Sequence, residues 1–165
     1  MSAPIPVILC GAMRPVAALV RSHMLLEYDV VYAGHDIAAA TKEVPKIISG
    51  SSPPSTSLYT QIGSNDFTVL PRAVITGGGY NEEAFQTLFQ ACAEACGSEV
   101  ALPVPFFRTD NALTDQLAAE GKGPAHSSPE YPKAMTNRLK ARLREVGVGS
   151  GVLERPENRG KSFFF

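Results

Sequence analysis

Apolar and polar positions along this chain follow two rhythms. Pro6 to Cys10 (PVILC) is a short, unbroken apolar run that stops at Gly11. That is the pattern of a strand buried on both faces, as in parallel sheets. Pro15 stands where a helix can begin, since its missing N–H is not needed in a first turn. Val16, Leu19, Val20 and Met24 follow at helical spacing. Glu27 to Ala33 reads as a second strand, closed by Gly34. Asp36 then caps a helix with Ile37, Ala40, Val44, Ile47 and Ile48 on one face, which Pro45 weakens or bends.

The second half repeats the alternation. Arg72 to Thr76 is a third strand, followed by Gly77-Gly78-Gly79-Tyr80. Asn81, with Glu82 and Glu83 behind it, opens a helix that runs to about Cys96 and stops at Gly97. Glu99 to Phe107 reads as a fourth strand. Pro103 and Pro105 remove ladder donors from it, which predicts an edge position. Ser128-Pro129-Glu130 starts a last helix with Tyr131, Met135, Leu139 and Leu143 on one face, ended by Gly147, Gly149 and Gly151.

Strands separated by helices predict an α/β fold. The expected form is a small three-layer αβα sandwich, Rossmann- or flavodoxin-like, with right-handed crossovers and a parallel sheet of about four strands in the order 2-1-3-4. Residues 1–146 form the domain, with an irregular insertion at 49–71 and an irregular connection at 108–128. Residues 147–165 are a glycine-rich tail ending in Phe-Phe-Phe. A stretch as long as 49–71 without period is either a lid over the site or a disordered insertion.

Composition narrows the picture. The 165 residues are 44% apolar, enough for one sizeable core, and carry a formal net charge of −1. Near-neutrality offers no footing for nucleic acid or for a polybasic membrane anchor. No apolar run approaches the roughly 18 residues that span a bilayer. The first residues lack the basic start of a leader peptide, so a cytoplasmic protein is expected. Cys10, Cys92 and Cys96 are too few and scattered for a disulfide framework, and no metal-ligand spacing is present. The −1 conceals an asymmetry. Residues 1–129 hold 7 basic against 12 acidic side chains, and residues 130–165 hold 8 against 4. Lys133, Arg138, Lys140, Arg142 and Arg144 read as the solvent face of the last helix, pairing with the acidic body or with a second subunit. The triple-Phe tail points to docking on its own domain or on a neighbour, and a homo-oligomer, a dimer at simplest, is expected.

In doubly wound sheets, ligands bind beyond the carboxyl ends of the strands, where the strand order reverses. With order 2-1-3-4 that point lies between strands one and three. The floor would be Gly11–Arg14 and Gly77–Tyr80, with Arg108 and Asp110 beside it. A dinucleotide is disfavoured, because Met13 and Val16 occupy the places of the second and third fingerprint glycines. No cofactor is therefore expected, with NAD(P) the alternative. Gly77, Gly78 and Gly79 let the backbone approach a ligand, or else merely make a tight turn. Arg108, Arg14 and Met13 complete the candidate substrate-binding set. Tyr80, His35 and Asp110 are the candidate acid–base groups; the alternative is helix capping and turn polarity.

The segments VILCGA, AVITGGGYNEEAF, LPVPFFRTD and SPEYPKAM resemble a group of small fungal Rossmann-like proteins, mostly described as hypothetical or "NAD(P)-binding". GGGYNEEAF is also similar to the glycine-tyrosine turn in the substrate domain of D-2-hydroxyacid dehydrogenases. That resemblance implies a carboxylate-holding backbone at Gly78, Gly79 and Tyr80, without the dehydrogenase's redox machinery. The expectation is a small enzyme acting by metal-free acid–base chemistry on a carbonyl-containing small molecule, of isomerase, cyclase or lyase type. The fungal resemblance adds a setting in secondary metabolism. A non-catalytic ligand-binding or assembly module with a degenerate dinucleotide site is the alternative.

Overall fold

The computed structural model describes residues 2–11, 13–51 and 62–165. Five parallel strands, β1 (Ile5–Cys10), β2 (Tyr28–Gly34), β3 (Val74–Thr76), β4 (Phe106–Arg108) and β5 (Ser162–Phe164), form one sheet in the order β2-β1-β3-β4-β5. Among the described residues, five α-helices accompany them: α1 (Arg14–Met24), α2 (Ile37–Ile48), α3 (Glu82–Cys96), α4 (Asn111–Ala119) and α5 (Tyr131–Val146). This is a Rossmann-like αβα sandwich. The expected order holds for the first four strands, and the tail supplies a fifth.

Pleating sends alternate side chains of each strand to opposite layers. Val7, Leu9, Ile75 and Phe107 face α1 and α5. Ile8, Cys10, Val74 and Phe106 face α2 and α3. Local chemistry fixes the helix starts as expected. The Asp36 carboxylate accepts from the Ala39 N–H at 2.9 Å, and the Asn81 side chain accepts from the Ala84 N–H at 2.8 Å.

Several expectations need correction. The fourth strand is only Phe106–Arg108, and Glu99–Ala101 is a 3-10 turn. Pro103 and Pro105 precede the strand and cost it no donors, so β4 is interior and β5 takes the edge. The 108–128 connection is not wholly irregular, because Asp110 caps α4 within it. The basic side chains of α5 are not simply a solvated face. Arg138 donates to the Phe165 main-chain oxygen at 2.9 Å, Arg142 donates to that of Phe164 at 3.1 Å, and Lys140 lies 3.4 Å from Glu27. The tail thus docks on its own domain, with Phe165 buried in the α1/α5 core.

The handedness of the last connection also departs from expectation. The first three connections place α1 on one face while the chain moves one way, and α2 and α3 on the other face while it moves back. They share one hand. The connection from β4 to β5 moves in the same direction as that of α3, yet its α5 packs beside α1 on the opposite face. It therefore has the opposite hand. The right-hand rule comes from a twisted strand feeding directly into one helix. Two helices and the long return through residues 147–161 relax that constraint.

Between the sheet and α2, Glu43 is 6% exposed, and its Oε2 finds no donor among the described residues. Burial holds its carboxyl above the ordinary carboxylate range; the nearby Tyr32 hydroxyl and Lys46 offset this only in part. A carboxyl whose pKa is raised by folding destabilises the fold as pH climbs from the unfolded carboxylate range through the raised value. Glu43→Gln is therefore expected to be more stable than the parent at neutral pH and to lose that advantage in acid. Thermal melts at about pH 4 and about pH 7.5 bracket the carboxylate range. A variant no more stable than the parent at the higher pH would contradict this.

Candidate functional site

A cleft of about 480 Å³ opens at the carboxyl end of β1 and β3, where the strand order reverses. The chain arrives along β1, turns at Gly11 and enters α1. Leu9, Val16, Ala17, Val20 and Met135 give the cleft an apolar floor on the α1/α5 face of the sheet. Its rim is polar and comes from three places: the Gly77–Gly79 turn, α4, and the connection between α4 and α5.

The glycine turn is shaped by approach and not by backbone strain. None of Gly77, Gly78 and Gly79 has a positive φ. The Tyr80 N–H closes the turn on the Gly77 carbonyl at 3.1 Å, while Gly78 and Gly79 donate to no backbone or side-chain acceptor among the described residues. Asn111, the first residue of α4, donates its Nδ2 to the Gly78 carbonyl at 2.9 Å. A Cβ on Gly78 would stand 2.6 Å from Asn111 Oδ1, so glycine here permits that clasp. Gly11 is different: a Cβ there meets nothing within 4 Å, and it would project into the open space of the cleft. Beside it, α1 begins at Met13 with no side-chain cap and no acid in its first turn. Its first amides therefore favour an electron-rich ligand group.

Asp115 lies one turn beyond Asn111 on the same face of α4. Its Oδ1 is 3.4 Å from His126 Nε2. The His126 ring in turn lies against Tyr131 at the start of α5, centroids 4.9 Å apart and planes inclined by 44°. Burial raises the Tyr131 phenol above its ordinary pKa, the Thr114 hydroxyl and Arg138 pulling the other way. The phenol therefore stays a protonated donor at neutral pH. Asp115, His126 and Tyr131 thus border one apolar cleft that Gly78 and Gly79 also line.

Of the sequence-predicted residues, Gly77, Gly78, Gly79 and Met13 border this cleft. The others lie elsewhere. Arg14 starts α1, is exposed and does not line the cleft. His35 follows β2 and does not line the cleft. Asp110 is spent as the α4 cap, accepting from the Leu113 N–H at 2.9 Å. Tyr80 and Arg108 are on the opposite face of the sheet. Tyr80 is buried against Cys10 in the α2/α3 layer, and burial raises its phenol pKa. Arg108 pairs with Glu82 at 2.6 Å, with its guanidinium 4.0 Å above the Phe85 ring and 4.7 Å from that of Phe164. Tyr80, Arg108 and Asp110 do not converge. Cys10 is fully buried and its thiol is pushed up to about 12, chiefly by burial, so it is no nucleophile at neutral pH.

Residues 52–61 of the expected lid lie outside the described residues. Residues 62–65 run along the outer edge of β2, with the Ser64 and Asn65 N–H groups on the Val30 and Val31 carbonyls, and residues 62–71 do not border the cleft. Asn111, Asp115, His126 and Tyr131 border the cleft although the sequence pattern did not single them out as site residues. A usable signal existed. Asp110 as cap, Leu113 and Leu117 four apart, and Gly121 as terminator spell a short helix, and that helix puts Asn111 and Asp115 on one face.

Fold and site together define a Rossmann-like αβα domain with a small-molecule-sized cleft at its switch point. The chain is 32% identical over 158 residues to kojic acid related protein 6 of Aspergillus oryzae (strain ATCC 42149 / RIB 40), covering 94% of this chain and 85% of that protein. It belongs to the family of that protein. No family model and no solved structure matches it. Among the described residues, no helix is long and apolar enough to cross a membrane, and no group of acids, histidines and cysteines has the makings of a metal site.

Proposed function

We propose that this protein binds a small, oxygenated, carbonyl-bearing molecule in the β1/β3 cleft and moves a proton on it, within fungal secondary metabolism. The observation that carries the reading is the convergence of Asp115, His126 and Tyr131 on one apolar cleft that also presents the Gly78 and Gly79 amides. In this scheme Asp115 orients His126, and the imidazole takes a proton from the carbon beside the carbonyl. The electron pair moves onto the carbonyl oxygen, which the glycine amides and the Tyr131 hydroxyl receive. Return of the same proton to another position completes an isomerisation; loss of a leaving group instead gives a lyase.

Two further points support this reading over a dinucleotide enzyme. Val16 is part of the cleft wall where the fingerprint needs glycine, and Met13 caps α1 where the pyrophosphate would approach. The relative's name ties that protein to kojic acid, a single oxygenated ring bearing a carbonyl, which suits a cleft of this size.

The test is an NMR titration with kojic acid and a panel of small hydroxylated carbonyl compounds. The expected result is perturbation of the Gly77, Gly78 and Gly79 amides and the His126 ring, lost in Gly11→Val. That substitution adds its side chain to open space at a non-positive φ, so its fold should survive while binding falls at least about tenfold. Shifts confined to other surfaces, or binding untouched by Gly11→Val, would overturn the assignment.

A further inference from the structure

A second cavity, of about 290 Å³, adjoins the cleft. Tyr131 and Met135 border both, so their side chains are a shared wall. The two spaces differ in charge. Among the described residues, the cleft is lined by Asp115 and by no lysine or arginine. The second cavity is lined, among the described residues, by Lys122 and Arg138 and by no carboxylate, with Leu117, Pro124 and Ala134 as its apolar surface.

The two cations are held differently. Arg138 is fixed in place: it donates to the Thr114 hydroxyl at 2.8 Å and to the main-chain oxygens of Asp110 and Phe165 at 3.2 and 2.9 Å. Lys122 is at the surface, paired with Glu120 at 3.0 Å, and both side chains are well exposed. The fixed Arg138 charge and the exposed Lys122 ammonium together give this cavity a positive potential that attracts a carboxylate.

We infer that the second cavity is a carboxylate-accepting subsite for the same ligand. The substrate's carbonyl-bearing ring sits in the cleft, and a short arm passes the Tyr131–Met135 wall to place a carboxylate between Lys122 and Arg138. This rests on the reading of the cleft given above. The charge pattern also sets the orientation. Asp115 repels the acid from the cleft end, and the cations draw it to the other, so the ring is presented to His126 in one sense only.

The experiment uses the full chain and three probes: 3-(4-hydroxyphenyl)propanoate, its amide, and kojic acid as a ring without an arm. Affinities come from calorimetry and positions from amide shifts, in the parent and in Lys122→Glu. The acid is expected to bind about tenfold tighter than the amide, as a charge-assisted contact would give. It should shift Lys122 and Gly123 as well as the glycine turn, and the acid-to-amide preference should vanish in Lys122→Glu. Equal affinity for acid and amide, with both shifting the glycine turn, overturns the subsite and leaves the cleft reading standing. An acid that shifts only Lys122 and Gly123 overturns the shared ligand. No binding by any of the three probes at millimolar concentration overturns both.

Discussion

A chain shortened to end at Lys161 is expected to lose roughly 4 kcal/mol or more of folding stability. Phe165 is 5% exposed in the α1/α5 core, and Phe163 lies against Phe107 with ring centroids 5.9 Å apart. Removing a buried Phe side chain alone costs about 3–5 kcal/mol. The deletion also opens the β4 edge, taking away the Phe165 N–H bond to the Arg108 carbonyl and the bond from the Asp110 N–H to the Phe165 oxygen. Arg138 and Arg142 each lose a main-chain acceptor. Against a total stability of about 5–15 kcal/mol for an ordinary domain, such a loss leaves the fold near its margin. Urea denaturation measures it as a large fall in midpoint. A truncated chain with the parent's midpoint would show that the tail merely decorates the sheet. Phe164→Ala is the contrast: that ring is half exposed, and its loss should cost far less.

The same tail explains why the site was only half legible. Apolar runs, caps and glycine stops were local signals, and they placed β1, β2, α2, α3 and α5 and the first four strands in order. The switch-point rule points to the carboxyl ends of β1 and β3, where the cleft lies, and Gly77–Gly79 and Met13 line it. What sequence rhythm does not encode is which face of the sheet the cleft opens on. Phe106 and Arg108 share one face by pleat parity, and Phe107 takes the other. Choosing between them required knowing where α4 and α5 would lie. That depends on a long connection of the less common hand, closed by a three-residue strand too short to stand out. Once α5 is placed beside α1, the cleft belongs to the Phe107 face. Arg108 and Tyr80 are then behind the sheet, serving ion-pair, ring and core contacts.

The location of the chemistry on the α4–α5 side makes a sharp kinetic prediction. His126→Gln is expected to lower kcat about 10²–10⁴-fold on whichever carbonyl compound the titration identifies, with a much smaller change in KM. The imidazole is 41% exposed, so removing it should change stability by no more than about 0.5 kcal/mol. Loss of activity in a folded protein is thus separable from unfolding. Asp115→Asn keeps the side-chain shape at 3.4 Å from His126 Nε2 but removes the charge that orients it, so its effect should be in the same direction and smaller. Tyr131→Phe preserves the ring beside His126 and deletes only the phenol, which separates proton donation from packing. Tyr80→Phe, on the far face beside Cys10, should leave turnover essentially intact. If Tyr80→Phe were the crippling change and His126→Gln were silent, the chemistry would lie behind the sheet and the cleft would be only a binding pocket.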